Sequence, residues 1–357
     1  MASKQKLDFN PDAPASAESG IFGLPYTLEE AALVLIPVPW DVTVSYAAGT
    51  AKGPDAIRRA SAQVDLFLQD VAQAWDHKIF MLSTPIELKK RGKKARKYAQ
   101  EYIDVLTKEP DKIQSDKYKQ MLAYINAECA FMNNWVQTQA TTLLQTGKKV
   151  ALIGGDHSTP LGLIKALAEK ETFSILHIDA HADLRQAYEN FTYSHASIIY
   201  NTLPIKNIKR IVQVGIRDWC QAEQKIIDQS KGRIVLFTDE NIKNEQYSGI
   251  PWHQITDKII ANLTDKVYIT FDIDGLDPKL CPGTGTPVPG GLEFYEALYL
   301  IKKIRKSGKQ IIGFDVVEVS PRSDEWDANT GARLIYQIAN QLLINTKTQK
   351  TIKKPKR

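Results

Sequence analysis

Residues 174–184 read S-I-L-H-I-D-A-H-A-D-L, a short apolar run that ends in Asp179, His181 and Asp183. The run has the length of a buried strand, and residues at i, i+2 and i+4 of an extended segment share one face. Two carboxylates and an imidazole then converge. Oxygen and nitrogen donors without a thiolate suit Mn, Ni, Fe or Zn better than a structural cysteine site. Taken alone, the pattern equally fits a salt-bridged strand end.

Two further segments repeat it. Residues 150–155, V-A-L-I-G-G, are followed by Asp156, His157 and Ser158, and residues 267–274, V-Y-I-T-F-D-I-D, end in Asp272 and Asp274. In open α/β sheets the C-terminal edge of the strands is where sites are built. Burying these carboxylates and histidines together is costly without cations to pair them. A metal site is the expectation.

The elements that must hold those residues can be laid out along the chain. Residues 32–40 read as a first strand stopped by Pro37 and Pro39. A loop follows, and Pro54 opens a helix over 54–68. Residues 77–82 suggest a short strand, 118–145 a long helix with helical apolar spacing, and 160–169 another helix. Strands at 211–216 and 233–238 flank a helix at 221–229, and a further helix covers 252–263. A Pro- and Gly-rich loop follows Asp274. A helix at 293–306, a strand at 311–320 and a helix at 329–343 complete the pattern. About eight strands alternate with helices and no linker interrupts them, which predicts a mainly parallel sheet with helices on both faces. One α/β domain over 31–345 is expected, with an N-terminal extension (1–30) and a basic C-terminal tail (346–357).

Composition narrows the function classes. The chain has 357 residues, is 43% hydrophobic and carries a net charge of +5. Six basic residues from Lys347 onward account for that charge, so the body is near neutral. Neither this tail nor the basic run at 89–97 is interleaved with aromatics in a nucleic-acid module, and both read as solvated surface. The cysteines, Cys129, Cys220 and Cys281, are odd in number and widely spaced, which suggests a reducing compartment. No run approaches a membrane span and the N-terminus lacks an apolar signal core. A cytoplasmic protein without membrane or nucleic-acid partners is expected.

Three motifs in order, G-G-D-H-S, D-A-H-A-D and F-D-I-D-G-L-D-P, resemble the signatures of the arginase/agmatinase (ureohydrolase) family. V-P-W-D-V-T-V-S-Y, P-G-T-G-T-P-V-P-G-G-L and D-V-V-E-V-S-P extend the likeness, which leans to the agmatinase branch. It implies an arginase-like three-layer α/β/α fold, a homo-oligomer (trimer or hexamer) and two divalent metal ions, Mn or Ni. By motif position, His157, Asp179, Asp183 and Asp272 would hold one ion and Asp179, His181, Asp272 and Asp274 the other, with Asp179 and Asp272 bridging. The implied reaction cleaves a guanidino C–N bond with a metal-bridging hydroxide, whose proton Asp183 would take. His195 matches the proton-shuttle histidine, and Glu318 matches the carboxylate that binds the guanidinium. Asp156 reads as a supporting or capping group.

The chain departs from agmatinases at two places. His195-Ala196-Ser197-Ile198-Ile199-Tyr200 stands where H-G-T-P-F is usual, and Ala47 and Ala51 replace arginines of the early loop. Bulkier residues after the shuttle histidine would narrow the pocket, so free guanidine, giving urea and ammonia, is favoured as the small guanidino substrate. Agmatine is the alternative, with guanidinobutyrate, arginine and formiminoglutamate behind it. An amide hydrolase of the deacetylase type needs one zinc and leaves Asp183, Asp274 and His157 unexplained. A non-catalytic metal-binding protein leaves His195 and Glu318 unexplained.

Overall fold

The structure, a computed structural model, describes residues 9–15 and 19–344. The basic tail lies outside these residues. Eight strands are present: β1 (Leu33–Val38), β2 (Ile79–Met81), β3 (Lys149–Gly154), β4 (Phe173–Ile178), β5 (Ile208–Ile216), β6 (Ile234–Thr238), β7 (Lys266–Asp272) and β8 (Gln310–Val317). They form one sheet in the order β2-β1-β3-β8-β7-β4-β5-β6. Every pairing is parallel.

The central strands are buried along almost their whole length, which explains why they read as continuous apolar runs rather than alternating ones. Successive side chains still go to opposite faces. In β1, Leu33 and Leu35 enter one core, while Val34, Ile36 and Val38 enter the other. The first core is covered by α1 (Gly53–Ala60), α7 (Asp239–Tyr247), α8 (Trp252–Ala261), α9 (Phe294–Lys306) and α10 (Trp326–Leu343). The second is covered by α2 (Ile86–Lys108), α3 (Asp116–Gln145), α4 (Leu161–Ala168), α5 (Ile198–Thr202) and α6 (Gln221–Gln229). This is the expected three-layer α/β/α arrangement. Among the described residues no helix is long and apolar enough to cross a membrane.

Differences from expectation have local causes. The basic run at 89–97 lies inside α2, a helix not foreseen in full. Its lysines face solvent while Gly92, Ala95 and Ala99 are buried, and Gly92 lets the helix pass against Trp40, where a Cβ would come within 3.0 Å of the indole. Helix α1 is shorter than expected: it ends at Ala60 and tightens into a 3-10 turn, Ser61–Gln63. Part of the N-terminal segment is built into the body, since Ile21, Phe22 and Leu24 are buried in the first core.

Candidate metal centre and active site

Strands β3, β8, β7 and β4 are consecutive in the sheet, and each ends in residues of the candidate site. His157 follows β3, Glu318 follows β8, Asp272 closes β7, and Asp179, His181 and Asp183 follow β4. The order of strands therefore gathers four segments that are far apart in the chain. His195 arrives separately, on the 3-10 turn His195–Ser197 before α5.

The convergence is not produced by extended backbone as the alternation rule suggested. Strand β4 stops at Ile178, and Asp183 has φ 53° in the left-handed region. The carboxylates themselves fold the turns. Asp179 Oδ1 accepts from the His181 amide at 2.6 Å, Asp274 Oδ1 accepts from the Ala180 amide at 3.1 Å, and Asp272 Oδ1 accepts from the Asp274 amide at 2.9 Å. Asp274 thus sits on a 3-10 turn, Ile273–Gly275, instead of continuing β7. Glu318 is also left-handed, with φ 64°. Such positions cost roughly 1–3 kcal/mol each and persist where surrounding structure over-determines them.

Two clusters result. His157 Nδ1 faces Asp179 Oδ2 at 3.0 Å, Asp183 Oδ2 at 3.1 Å and Asp272 Oδ2 at 3.2 Å. His181 Nδ1 faces Asp274 Oδ2 at 3.2 Å and Asp179 Oδ1 at 3.4 Å. All but His181 are buried. His157, His177, Asp179 and Asp183 form one group able to hold an ion, and Asp179, His181 and Asp274 a second. Asp179 belongs to both through its two oxygens. The donors are all nitrogen and oxygen, and His157 Nδ1 is buried without a hydrogen-bond partner. Both facts fit divalent cations.

The electrostatics say the same. Burial pushes Asp272 well above the usual carboxylate range, and Asp274 and Asp179 beside it add to the shift. Asp183 is raised by burial and by Asp179. Burial opposes charge on His181, but Asp274 and Asp179 outweigh it and push the imidazole up to about 12. Crowded negative charge of this kind draws protons, and it draws divalent cations for the same reason.

Around the clusters lie the groups that could act on a substrate. Glu318 Oε1 accepts from the His157 amide at 2.8 Å, while Oε2 is buried and unpartnered. Burial, then Asp156, raises Glu318 well above its usual range. His195 is half-buried, and burial followed by the nearby His181 pulls its imidazole down to about 4. Its amide donates to Thr43 Oγ1 at 3.1 Å. Asp156 acts as a cap: it accepts from the Ser158 amide at 3.0 Å and hydroxyl at 2.5 Å, and from Thr43 Oγ1 at 3.4 Å. Arg96 of α2 steadies the Thr43 loop by donating to the Val42 and Val44 carbonyls.

His177 is the residue that sequence reasoning missed. Its Nε2 lies 2.7 Å from Asp179 Oδ2, and its Nδ1 takes a hydrogen bond from Gln213 Nε2 at 2.9 Å. The signal was present, because His177 precedes Asp179 by two and shares its strand face. A cavity of about 460 Å³ opens over the site. His157, Asp183, Asp272, Glu318 and His195 line it, with Arg185, Tyr188, Glu223 and the exposed Asp218 and Tyr46 further around. Ala196, the first residue of the departing stretch, lines it too, but Ile198 and Ile199 do not: both are buried in the second core on α5, so the two bulkiest aliphatic substitutions expected to narrow the pocket point away from it. Tyr200 is not among the lining residues either.

The family model described as the arginase family matches residues 31–344. The chain belongs to the arginase family. It is accordingly a metal-dependent hydrolase of the ureohydrolase class; the family uses a binuclear metal site, and the structure holds two adjoining His/Asp clusters that could each hold an ion. It is 32% identical over 309 residues to the N(1)-aminopropylagmatine ureohydrolase of Thermus thermophilus, covering 86% of this chain and 89% of that protein. It is also 32% identical over 295 residues to the agmatinase of Blochmanniella floridana, covering 82% and 81%. Among solved structures, a hypothetical agmatinase from Burkholderia thailandensis superposes with a TM-score of 0.66 at 26% identity, covering 94% of this chain and 91% of that one. The proclavaminate amidino hydrolase of Streptomyces clavuligerus shares the fold, with a TM-score of 0.68 at 22% identity over 93% and 99% of the two chains.

Proposed function

We propose that this arginase-family hydrolase releases urea from an alkylguanidine of the agmatine class, with manganese or nickel as the paired ions. The unpartnered Oε2 of Glu318 carries the reading. A buried carboxylate oxygen beside the metal clusters, lining the cavity, offers a guanidinium a charge-assisted hydrogen bond. His157, Asp179, Asp183 and Asp272 would hold one ion and Asp179, His181, Asp272 and Asp274 the other. When bound, such a pair supplies positive charge that lowers the pKa of water into the range where it attacks an unreactive guanidinium carbon.

The chain's own residues do the remainder. Glu318 orients the planar cation. Asp183, at the wall of the cavity, takes the proton of the attacking water. Burial, then the nearby His181, favours the neutral form of His195, which leaves a ring nitrogen free to take up a proton in transit and pass it to the departing nitrogen. Asp218, exposed further along the wall, gives the second cationic end of a diamine-type substrate a carboxylate to face, while Glu223 is taken up by the Leu184 and Cys220 amides and by Arg185.

The agmatine class is supported by the size of the cavity, which a bare guanidinium would leave mostly open, and by the names of the relatives at about 32% identity. Free guanidine keeps one supporting observation: Glu318, His195 and the metal clusters all address the guanidinium head, which both substrates share. Urea release from protein loaded separately with Mn²⁺ and Ni²⁺ decides between them. Agmatine, N(1)-aminopropylagmatine, 4-guanidinobutyrate, arginine and guanidine would be offered in parallel. A kcat/KM highest for agmatine or its aminopropyl derivative is expected. Turnover of guanidine alone would overturn the agmatine reading, and no urea from any of them with both ions bound would overturn the assignment as a whole.

A further inference from the structure

On the side of its ring away from the carboxylate clusters, His157 meets a chain of three buried residues. Its Nε2 lies 2.8 Å from Thr270 Oγ1. That hydroxyl donates to Asp315 Oδ1 at 2.9 Å, and the Tyr268 hydroxyl donates to Asp315 Oδ2 at 2.7 Å. Thr270, Asp315 and Tyr268 have no exposed surface, and His157 is 1% exposed. Thr270 and Tyr268 both belong to β7, two residues apart on one face, and Asp315 is the partner of Thr270 in the β7–β8 pairing.

The direction of the chain follows from counting protons. Thr270 has one hydroxyl proton and gives it to a carboxylate that can only accept, so its oxygen is left to accept from His157. Nε2 then carries a hydrogen, and in the neutral imidazole that binds a metal Nδ1 presents a lone pair. Nδ1 is the buried, unpartnered atom set between Asp179, Asp183 and Asp272. A lone pair aimed at three carboxylate oxygens is repulsive unless a positive charge lies between them; without ions the carboxylates favour a proton on His157, and a divalent cation takes its place.

We propose that Asp315, acting through Thr270, is a positioning residue for the metal centre: it fixes the tautomer and ring orientation of His157 so that Nδ1 faces the ion. Tyr268 holds the second oxygen of Asp315 and keeps the carboxylate from turning. This rests on the reading of His157 as a metal ligand. Partners of this kind set ligand affinity by about 10–100-fold.

The test is a calorimetric titration with Mn²⁺ of the wild type and of Thr270→Val, which keeps the shape and removes the hydroxyl. One of two binding events should weaken by about 10–100-fold while the other stays near the wild-type value. Thr270→Ser, which restores the hydroxyl, should recover the lost affinity. Wild-type binding of both ions by Thr270→Val, or no recovery in Thr270→Ser, overturns the relay. His157→Ala separates the two layers of the argument. If it keeps both ions, His157 is not a ligand; if it loses one while Thr270→Val loses none, only the relay fails. Should Thr270→Val not fold, nitrogen-15 spectra of the Zn²⁺-loaded wild type decide the matter. A slowly exchanging Nε2–H on His157 is expected, and metal coordination at Nε2 overturns the proposal.

Discussion

Glu318 is hydrogen-bonded to His157 through the backbone: its Oε1 accepts from the His157 amide at 2.8 Å. The Glu318 amide in turn donates to the Gly155 carbonyl at 2.7 Å. The two bonds tie the carboxylate proposed to bind the guanidinium to the turn that carries the His157 imidazole. Glu318→Gln keeps the accepting oxygen and removes the charge. Metal content should stay at the wild-type level while kcat/KM falls by about 10²-fold, the scale of a lost charge-assisted pair. Elemental analysis beside steady-state kinetics checks this, and near-normal kcat/KM would mean the guanidinium is held elsewhere.

Asp179 stands between the clusters, with Oδ2 toward His157 and Oδ1 toward His181, whereas Asp274 reaches only His181. Burial raises a carboxylate, but His177 and His157 outweigh it and hold Asp179 well below the usual range. Asp179→Asn should therefore lose both ions and Asp274→Asn only one. Metal-to-protein ratios after gel filtration distinguish the two, and equal losses would remove Asp179 from its bridging role. Asp272→Asn, on the ligand set proposed above, should resemble Asp179→Asn.

His195 touches neither cluster by hydrogen bond, and its amide is fixed by Thr43. His195→Ala should keep both ions and lose turnover by about 10²–10⁴-fold, the range for a positioned acid or base. The loss should be smaller for a substrate analogue whose leaving nitrogen needs less protonation. Unchanged turnover would show that another group delivers the proton.

Two histidines make the fold sensitive to acid. Burial pulls His195 down to about 4, and burial also lowers His77, whose Nδ1 lies 2.7 Å from Asn340 Oδ1. In the unfolded chain both titrate near their ordinary value of about 6.5. Between that pH and about 4 the unfolded chain binds more protons than the folded one, so stability rises with pH across this window. The contribution is complete above about 6.5 and is lost as the pH falls toward 4. In metal-free protein the raised carboxylates Asp183, Asp272 and Glu318 and the raised His181 slope the other way, so the histidine contribution is read as a difference between variants. With chelator held constant, the denaturant midpoint of the wild type relative to that of a His77→Asn, His195→Asn double variant should fall as the pH drops through that range; an identical pH profile for the two would place the acid sensitivity in other groups.

Much of this was legible in the sequence because local chemistry wrote it there. Strands buried on both faces appear as uninterrupted apolar runs, so the strands around 34, 80, 151, 175, 212, 235, 269 and 314 could be read directly. Asp179, His181, Asp183, Asp272, Asp274 and His157 stood out because carboxylates and imidazoles are expensive at the end of an apolar run. Tertiary structure decided what those residues face. Strand order depends on long-range packing, and nothing in the chain near residue 318 says that β8 lies between β3 and β7. The left-handed turns at Asp183 and Glu318 arise only because neighbouring strands supply the partners that hold them. Ile198 and Ile199 show the limit most plainly. Their place in the sequence is three and four residues after His195, and their place in space is the second core, because α5, which starts at Ile198, packs that face against the body while His195 stays on the 3-10 turn at the cavity.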